Sequence, residues 1–139
     1  MKTLFLSIAL IVVSTLGFAQ DSKGQTITVT IENAKNDNGK LLVSLNTKDT
    51  FMKGAGIQNA ESKIKDGKAT ITFENVTPGD YAIMVLHDEN ENERMDFEDN
   101  GMPKESYGMS NNPRSYGPPI YEDAKFTLTK EDIKLSIRL

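Results

Sequence analysis

An acidic segment, residues 88–99, is the part of the sequence whose residue types and spacing most clearly suggest chemistry. Oxygen-bearing groups recur there at alternate positions, as in a twelve-position calcium loop. Positions 1, 3, 5, 7, 9 and 12 are Asp88, Asn90, Asn92, the carbonyl of Arg94, Asp96 and Asp99. Calcium takes about six to eight oxygen ligands, and alternate residues of a tight loop converge on one centre. The spacing therefore predicts a Ca²⁺ site in this loop, with Ca²⁺ as the cofactor.

This acidic loop departs from the usual calcium loop at two positions. Glu93 stands where the motif has Gly for a sharp turn, and Asp99 stands where a Glu side chain would reach further. The predicted flanks are a strand and a loop, so the segment resembles the calcium loops of extracellular β-domains and dockerins rather than an EF-hand. The alternative is a solvated acidic loop without metal, although its seven carboxylates would then repel one another.

A polar segment rich in tyrosine, glycine and proline, residues 101–121, follows the acidic loop. Tyrosine rings offer apolar contact while their hydroxyls stay wet, so this composition suits a small carbohydrate or peptide ligand. The predicted ligand-binding residues are His87, Glu105, Tyr107, Asn111, Asn112 and Tyr116. We favour the alternative that this segment is a loop whose tyrosines pack over the edge of the domain and whose prolines stiffen it.

The single histidine, His87, adjoins Asp88, and such a pair invites a general-base interpretation with Glu105 as its partner. A small secreted enzyme is therefore one alternative function. The sequence contains no Gly-x-Ser-x-Gly motif, no His-Glu-x-x-His motif and no phosphate-binding glycine loop. We therefore expect a non-catalytic module, with a purely structural or adhesive module as a further alternative.

The N-terminal residues, 1–19, have the pattern of a secretory signal peptide. Lys2 supplies the positive charge, an apolar run follows from Leu4 to Leu16, and Gly17-Phe18-Ala19 offers small residues for cleavage before Gln20. The apolar run is shorter than the roughly 20 residues that a spanning helix needs. We therefore expect a protein that is secreted, periplasmic or at the cell surface, with no membrane span after cleavage.

The composition of the remaining chain, residues 20–139, fits one domain that folds without disulfides, since the chain has no cysteine. The formal net charge is −4, and loss of Lys2 with the leader would make it −5. An acidic domain repels nucleic acid and anionic membrane surfaces and is compatible with cations. We expect a monomer that does not bind nucleic acid.

Alternating apolar residues predict short strands along most of this domain. The predicted strands cover residues 25–32, 40–47, 62–64, 68–74, 81–87, 124–128 and 133–139. The turn at Asn36–Gly39 predicts a hairpin between the first two strands. The most apolar strand, residues 81–87, is predicted to be central and buried on both faces, and residues 88–121 to be a long irregular insert. The pattern predicts an all-β, seven-stranded sandwich.

A run of motifs across the domain resembles an uncharacterised family of exported bacterial proteins, domain of unknown function 2141. These motifs are His87-Asp88 with the acidic loop, Gly101–Glu105, Tyr107–Asn112, Gly117–Pro119 and Glu122–Phe126. Members of the family usually have Gly in place of Glu93 and Phe in place of Met109. The resemblance implies a fold and a compartment but no reaction. The segment Thr77–Tyr81 separately resembles the turn and tyrosine that enter a strand in transthyretin-like and collagen-adhesin B-type sandwiches, which implies an immunoglobulin-like or transthyretin-like architecture.

Overall fold

A computed structural model describes residues 23–114 and 116–139. The predicted signal peptide and its cleavage before Gln20 lie outside the described residues. In the described ranges, no helix has the length and apolar character needed to cross a membrane.

Eight strands and one single-turn helix are the regular elements of the described residues. The strands are β1 (Gln25–Glu32), β2 (Lys40–Asn46), β3 (Gln58–Ser62), β4 (Ala69–Val76), β5 (Gly79–Asp88), β6 (Tyr107–Met109), β7 (Phe126–Leu128) and β8 (Ile133–Arg138). The helix, α1, spans Tyr121–Ala124. The prediction of seven strands missed β6, because a three-residue strand inside a polar segment is too short to show alternation.

Two sheets form the sandwich, so the predicted all-β sandwich is confirmed. The first sheet has the order β4-β1-β8, with β1 antiparallel to β4 and parallel to β8. The second has the order β3-β2-β5, and β6 and β7 pair with successive parts of the free edge of β5. The predicted hairpin of the first two strands is wrong, because β1 and β2 belong to different sheets. The turn residues at Asn36–Gly39 reverse the chain but do not select its hydrogen-bonding partner.

The main core lies between the two sheets and follows the predicted alternation. Ile27, Val29 and Ile31 of β1 face Leu41, Val43 and Leu45 of β2, and all six are fully or almost fully buried. Burying such a side chain contributes about 1.5–3 kcal/mol. The inner face of the sandwich is therefore closed and offers no site.

The outer face of the second sheet carries a second, smaller apolar cluster. Phe51, Ala82, Met109 and Ala124 form it, so the long insert and α1 fold back over the first half of β5. Further along β5, Met84 and Leu86 on the same face are only half-buried. The central strand is thus covered on both faces at its beginning and open on one face near its end.

Candidate functional site

The floor of the candidate site is the outer face of the second sheet. Successive strand residues point to opposite faces, and the outer face of a sandwich is normally polar. Here Leu42 of β2 lies opposite both Glu61 of β3 and Leu86 of β5, and Leu86 lies opposite Tyr107 of β6. The next row contains Ser44 and Met84. An apolar strip therefore crosses a face that would otherwise meet water.

The insert and the loop between β2 and β3 form walls beside this floor. Together they define a groove, here called the outer groove, with a volume of about 1010 Å³. Its walls include Met52, Met95, Phe97, Met102 and Pro103. Met52, Phe97 and Met102 are 60%, 56% and 61% exposed, which is unusual for large apolar side chains that share one concavity. Such a patch marks a binding surface more often than chance exposure.

Methionine dominates the outer groove. Four of the five methionines among the described residues line it, and the fifth, Met109, is buried in the smaller cluster. Methionine is unbranched and polarizable, so it adapts to ligands of irregular shape. The groove can therefore accept a flexible apolar ligand without a rigidly matched contour.

A charged group closes the β3 end of the outer groove. The ammonium of Lys40 donates to Glu61 at 2.9 Å and to Glu93 at 3.1 Å, and both carboxylates belong to groove-lining residues. The hydrogen bond to Glu61, followed by that to Glu93, raises the pKa of Lys40 above its usual value. This end of the groove consequently carries one more negative than positive charge.

Asp88, position 1 of the predicted calcium loop, is buried and accepts hydrogen bonds from the loop backbone. Its two carboxylate oxygens accept the N–H groups of Asn92 at 3.1 Å and Glu93 at 2.8 Å. The carboxylate of Glu105 likewise accepts two backbone hydrogen bonds. One of its oxygens accepts the N–H of Glu89 at 3.0 Å, and the other accepts the N–H of Asp96 at 3.2 Å. Both carboxylates therefore hold the loop in shape.

Three of the predicted metal ligands meet at one point. The amide Nδ2 atoms of Asn90 and Asn92 each donate to Oδ2 of Asp96 at 2.7 Å. The hydrogen bond from Asn90, together with that from Asn92, holds the pKa of Asp96 below its usual value. Amide N–H groups thus point to the position where a cation needs oxygen atoms. The side-chain amides of Asn90 and Asn92 must both turn before these three residues can bind Ca²⁺.

The other two predicted metal ligands are the carbonyl oxygen of Arg94 and the carboxylate of Asp99. Arg94 donates its backbone N–H to Oδ1 of Asn92 at 3.1 Å. Asp99 lies on a tight turn that is closed by a hydrogen bond from Glu98 N–H to the Met102 carbonyl at 2.7 Å. Across the two described ranges, no three carboxylate or imidazole side chains gather in a way that could hold a metal. The residues therefore fit a calcium loop only in part.

His87 and Asp88 do not form the acid–base pair of the enzyme alternative. As consecutive residues of β5 they point to opposite faces, and His87 is buried on the core side. Its Nε2 lies 2.8 Å from the Asn38 carbonyl, which fixes the tautomer with the proton on Nε2. Nδ1 has no hydrogen-bond partner in the described chain. The histidine is thus a core residue that anchors the turn before β2.

Asn111 and Asn112, two of the predicted ligand-binding residues, instead bond to the backbone. Nδ2 of Asn111 donates to the carbonyls of Asp123 and Lys125 at 3.1 and 2.7 Å. Asn112 bonds to the edge of β8, donating to the Ser136 carbonyl at 2.9 Å and accepting the Arg138 N–H at 2.8 Å. Both have positive φ, which asparagine tolerates better than most residues. They fasten the insert to the sandwich.

Of the predicted ligand-binding residues, only Tyr107 lines the outer groove. Tyr116 is fully exposed and is not one of its lining residues. Sequence reasoning missed Leu42, Met84 and Met102. Leu42 breaks the alternation of β2 by placing an apolar residue on the outer face, and this was the signal that could have revealed the floor. No comparable signal marks Met102, because it lies in a turn.

The fold and the site define an all-β sandwich with a methionine-rich groove on one outer face. Over residues 29–136 the chain matches a family described as uncharacterized proteins conserved in bacteria, DUF2141, and it belongs to that family. No curated protein matches the chain.

A pilus-presented adhesin is one solved structure similar to the chain, with 16% identity and a TM-score of 0.27. The match covers 83% of this chain and 26% of the adhesin chain, so the chain spans about a quarter of that protein's length. A likeness of this size says nothing about the ligand.

Proposed function

We propose that this protein is a non-catalytic binding module that takes an apolar ligand into the outer groove. The observation that supports this function is the apolar strip of Leu42, Met84 and Leu86, which stays half-open beneath the exposed side chains of Met52 and Met102. Residues of the insert pack over Ala82 but stand beside this strip, where they line the groove.

The size of the outer groove suits a small molecule. Ligand sites usually have volumes of about 300–1,000 Å³ and are lined mainly by apolar side chains with a few polar groups. Covering apolar surface gains about 25 cal/mol per Å² before the costs of association are subtracted. A groove of about 1010 Å³ therefore has room for a ligand large enough to bind at micromolar concentration or better.

The proposed setting is outside the cytoplasm. The sequence pattern of residues 1–19 supports export, which would place the module in the periplasm, at the cell surface or in the medium. A groove of this kind on an exported protein would be exposed to lipids, other amphiphiles and apolar peptide segments. The negative formal charge argues against nucleic acid as the partner.

Titration with Nile red, a neutral apolar dye whose emission reports its surroundings, tests the proposal. The wild-type chain without residues 1–19 should bind the dye saturably. Met102→Asp places a charge in the groove wall and should weaken binding by about tenfold or more, which corresponds to about 1.4 kcal/mol. Ile57→Asp is the matched control, because Ile57 is 46% exposed but does not line the groove. Equal loss in both variants, or no saturable binding, would contradict the outer groove as a binding site.

A second proposed function is Ca²⁺ binding by the acidic loop. The observation that favours it is that Asn90, Asn92 and Asp96 already meet at one point, and a half-turn of both amides would replace two N–H groups by oxygens. The loop itself contains Met95 and Phe97 of the groove wall, so an ion bound there would stiffen that wall. Affinity should be weak, about 10⁻⁴ to 10⁻³ M.

Thermal melts in millimolar Ca²⁺ test this second function. The melting temperature should rise with Ca²⁺ but not with equal Mg²⁺, and Asp96→Ala combined with Asn90→Ala should abolish the rise. An unchanged melt at 10 mM Ca²⁺, on the order of ten times the weakest expected dissociation constant, would contradict it. Binding of Nile red is measured separately, so the two functions can fail independently.

A further inference from the structure

We infer that the ligand of the outer groove is a fatty acid, with its acyl chain in the groove and its carboxylate in an adjoining cleft lined by Arg114 and Arg138. This inference rests on the proposed apolar-binding function and adds the chemical class of the ligand. The sequence alone did not suggest it.

The adjoining cleft, here called the arginine cleft, lies between β6, the insert and the end of β8. Its volume is about 420 Å³, and Asn33, Tyr107, Arg114 and Arg138 are among its lining residues. The chain has three arginines, and this cleft contains two of them. Two arginines that line one concavity can offer their guanidinium groups to a carboxylate or phosphate, because the planar forks match paired oxygens.

Neither cleft arginine is committed to an acid of the protein. Within residues 23–114 and 116–139, every ion pair involves other cations, among them Arg94, the third arginine, with Asp96. This is notable in a chain with 20 acidic and 16 basic residues, where acidic partners outnumber cations. Two cleft-lining arginines that make no ion pair within the described ranges are suited to an anion from outside.

The arginine cleft adjoins the outer groove. Tyr107 and Gly117 line both cavities. Tyr107 is the last residue of the row that runs from Glu61 through Leu42 and Leu86 across four strands. At a strand spacing of about 4.8 Å, this row is roughly 14 Å long, which suits an extended acyl chain.

The charges at the two ends give the ligand one orientation. Arg114 and Arg138 stand beyond the β6 end, whereas Glu61 and Glu93, bridged by Lys40, stand at the β3 end. An anionic head group is attracted to the first end and repelled by the second. A neutral apolar ligand would not need this asymmetry.

A singly charged carboxylate suits this protein better than a phosphate. Arginine forks accommodate both groups equally well in geometry. The chain has a formal net charge of −4, however, and a phosphate monoester adds about −1.5 to −2 where a carboxylate adds only −1. The repulsion from the remainder of an acidic domain therefore favours the fatty acid over an alkyl phosphate monoester.

Displacement of Nile red by dodecanoic acid and by dodecanol, which share the same chain, tests the inference. The acid should bind wild-type protein about tenfold to hundredfold more tightly, as expected for charge-assisted hydrogen bonds. Arg114→Gln with Arg138→Gln should remove this preference while leaving dodecanol unchanged. Lys130→Gln with Lys134→Gln removes the same charge from exposed sites outside the cleft and should leave the preference intact.

The other outcomes separate the inference from the function on which it rests. Equal binding of acid and alcohol by wild-type protein would overturn the carboxylate site and leave the apolar groove. Tighter binding of dodecyl phosphate than of dodecanoic acid would overturn the choice of a carboxylate. Failure of Nile red and of all three amphiphiles to bind would overturn the groove itself.

Discussion

Leu86 lies directly opposite Tyr107 across strands β5 and β6, and both residues line the outer groove. Leu86 belongs to the most apolar strand of the chain, and Tyr107 belongs to the short strand that the insert adds to the edge of that strand. The insert therefore extends the floor of the groove as well as forming its wall. This pairing gives the outer face of the sandwich an apolar, concave surface.

Ligand binding should protect two methionines from oxidation. Met52 and Met102 are the most exposed methionines of the groove, so dilute hydrogen peroxide should convert them to sulfoxide first. A bound acyl chain or dye should slow that conversion, and oxidised protein should bind Nile red more weakly. Peptide mass spectrometry measures each site, with buried Met109 as the internal control. Equal oxidation rates with and without saturating ligand would contradict the groove.

Substitutions at Glu93 should separate backbone strain from charge. Glu93 has φ of 64°, the left-handed region that costs a non-glycine residue about 1–2 kcal/mol. Glu93→Gly and Glu93→Ala both remove the ion pair with Lys40, but only Gly relieves the strain. Gly also has the greater conformational entropy in the unfolded chain, which offsets part of the relieved strain. The Gly variant should therefore be more stable than the Ala variant by about 0.5–1 kcal/mol. Urea unfolding measures the stability of both variants. An Ala variant at least as stable as the Gly variant would contradict backbone strain at Glu93.

Removing the side chain of Asn112 should destabilise the fold. Asn112→Ala removes the hydrogen bonds to the Ser136 carbonyl and the Arg138 N–H, which water partly replaces at this exposed edge, at a cost of about 0.5–1.5 kcal/mol in the free energy of unfolding. Asn112→Asp keeps the acceptor for Arg138 and should lose less. Denaturant unfolding measures both free energies. The proposed role is lost if the Ala variant is as stable as the wild type.

The stability of the acidic loop should depend on the ionisation of Asp96. Hydrogen bonds from Asn90 and Asn92 lower the pKa of this carboxyl in the folded state below its usual 3.8. A lowered folded-state pKa means that the stabilisation is present above the unfolded value and is lost as the pH falls through the folded value. Melting temperatures should therefore fall below about pH 4, and less steeply in Asp96→Asn. Parallel slopes for the two proteins would exclude this contribution.

Much of the sandwich was predictable because it depends on local pattern. The alternation of Ile27, Val29 and Ile31 identifies a half-buried strand and its inner face without reference to any other part of the chain. The continuous apolar run of β5 likewise identifies a central strand. The same logic failed for the predicted hairpin of β1 and β2, because strand pairing depends on which distant strand satisfies the backbone, and β1 pairs with β4 and β8.

The acidic loop was predictable in its position but only in part in its geometry. Spacing placed Asn90, Asn92 and Asp96 in one short loop, and their side chains hydrogen-bond to one another there. Spacing could not show that the backbone occupies both oxygens of Asp88. Nor could it show that Glu105, far along the chain, closes the loop by accepting hydrogen bonds from Glu89 and Asp96.

By itself, the sequence determined the class of fold, the acidic character, the resemblance to the family and the place of the long insert, because each depends on neighbouring residues or on composition. Only the tertiary structure decided which side of the sheet the insert covers and which it leaves open. The outer groove joins residues from four strands and three connecting segments, and the arginine cleft joins Arg114 of the insert to Arg138 of β8. Such cavities form where segments that are distant in sequence come together, and the spacing of residues along the sequence carries no information about where this happens.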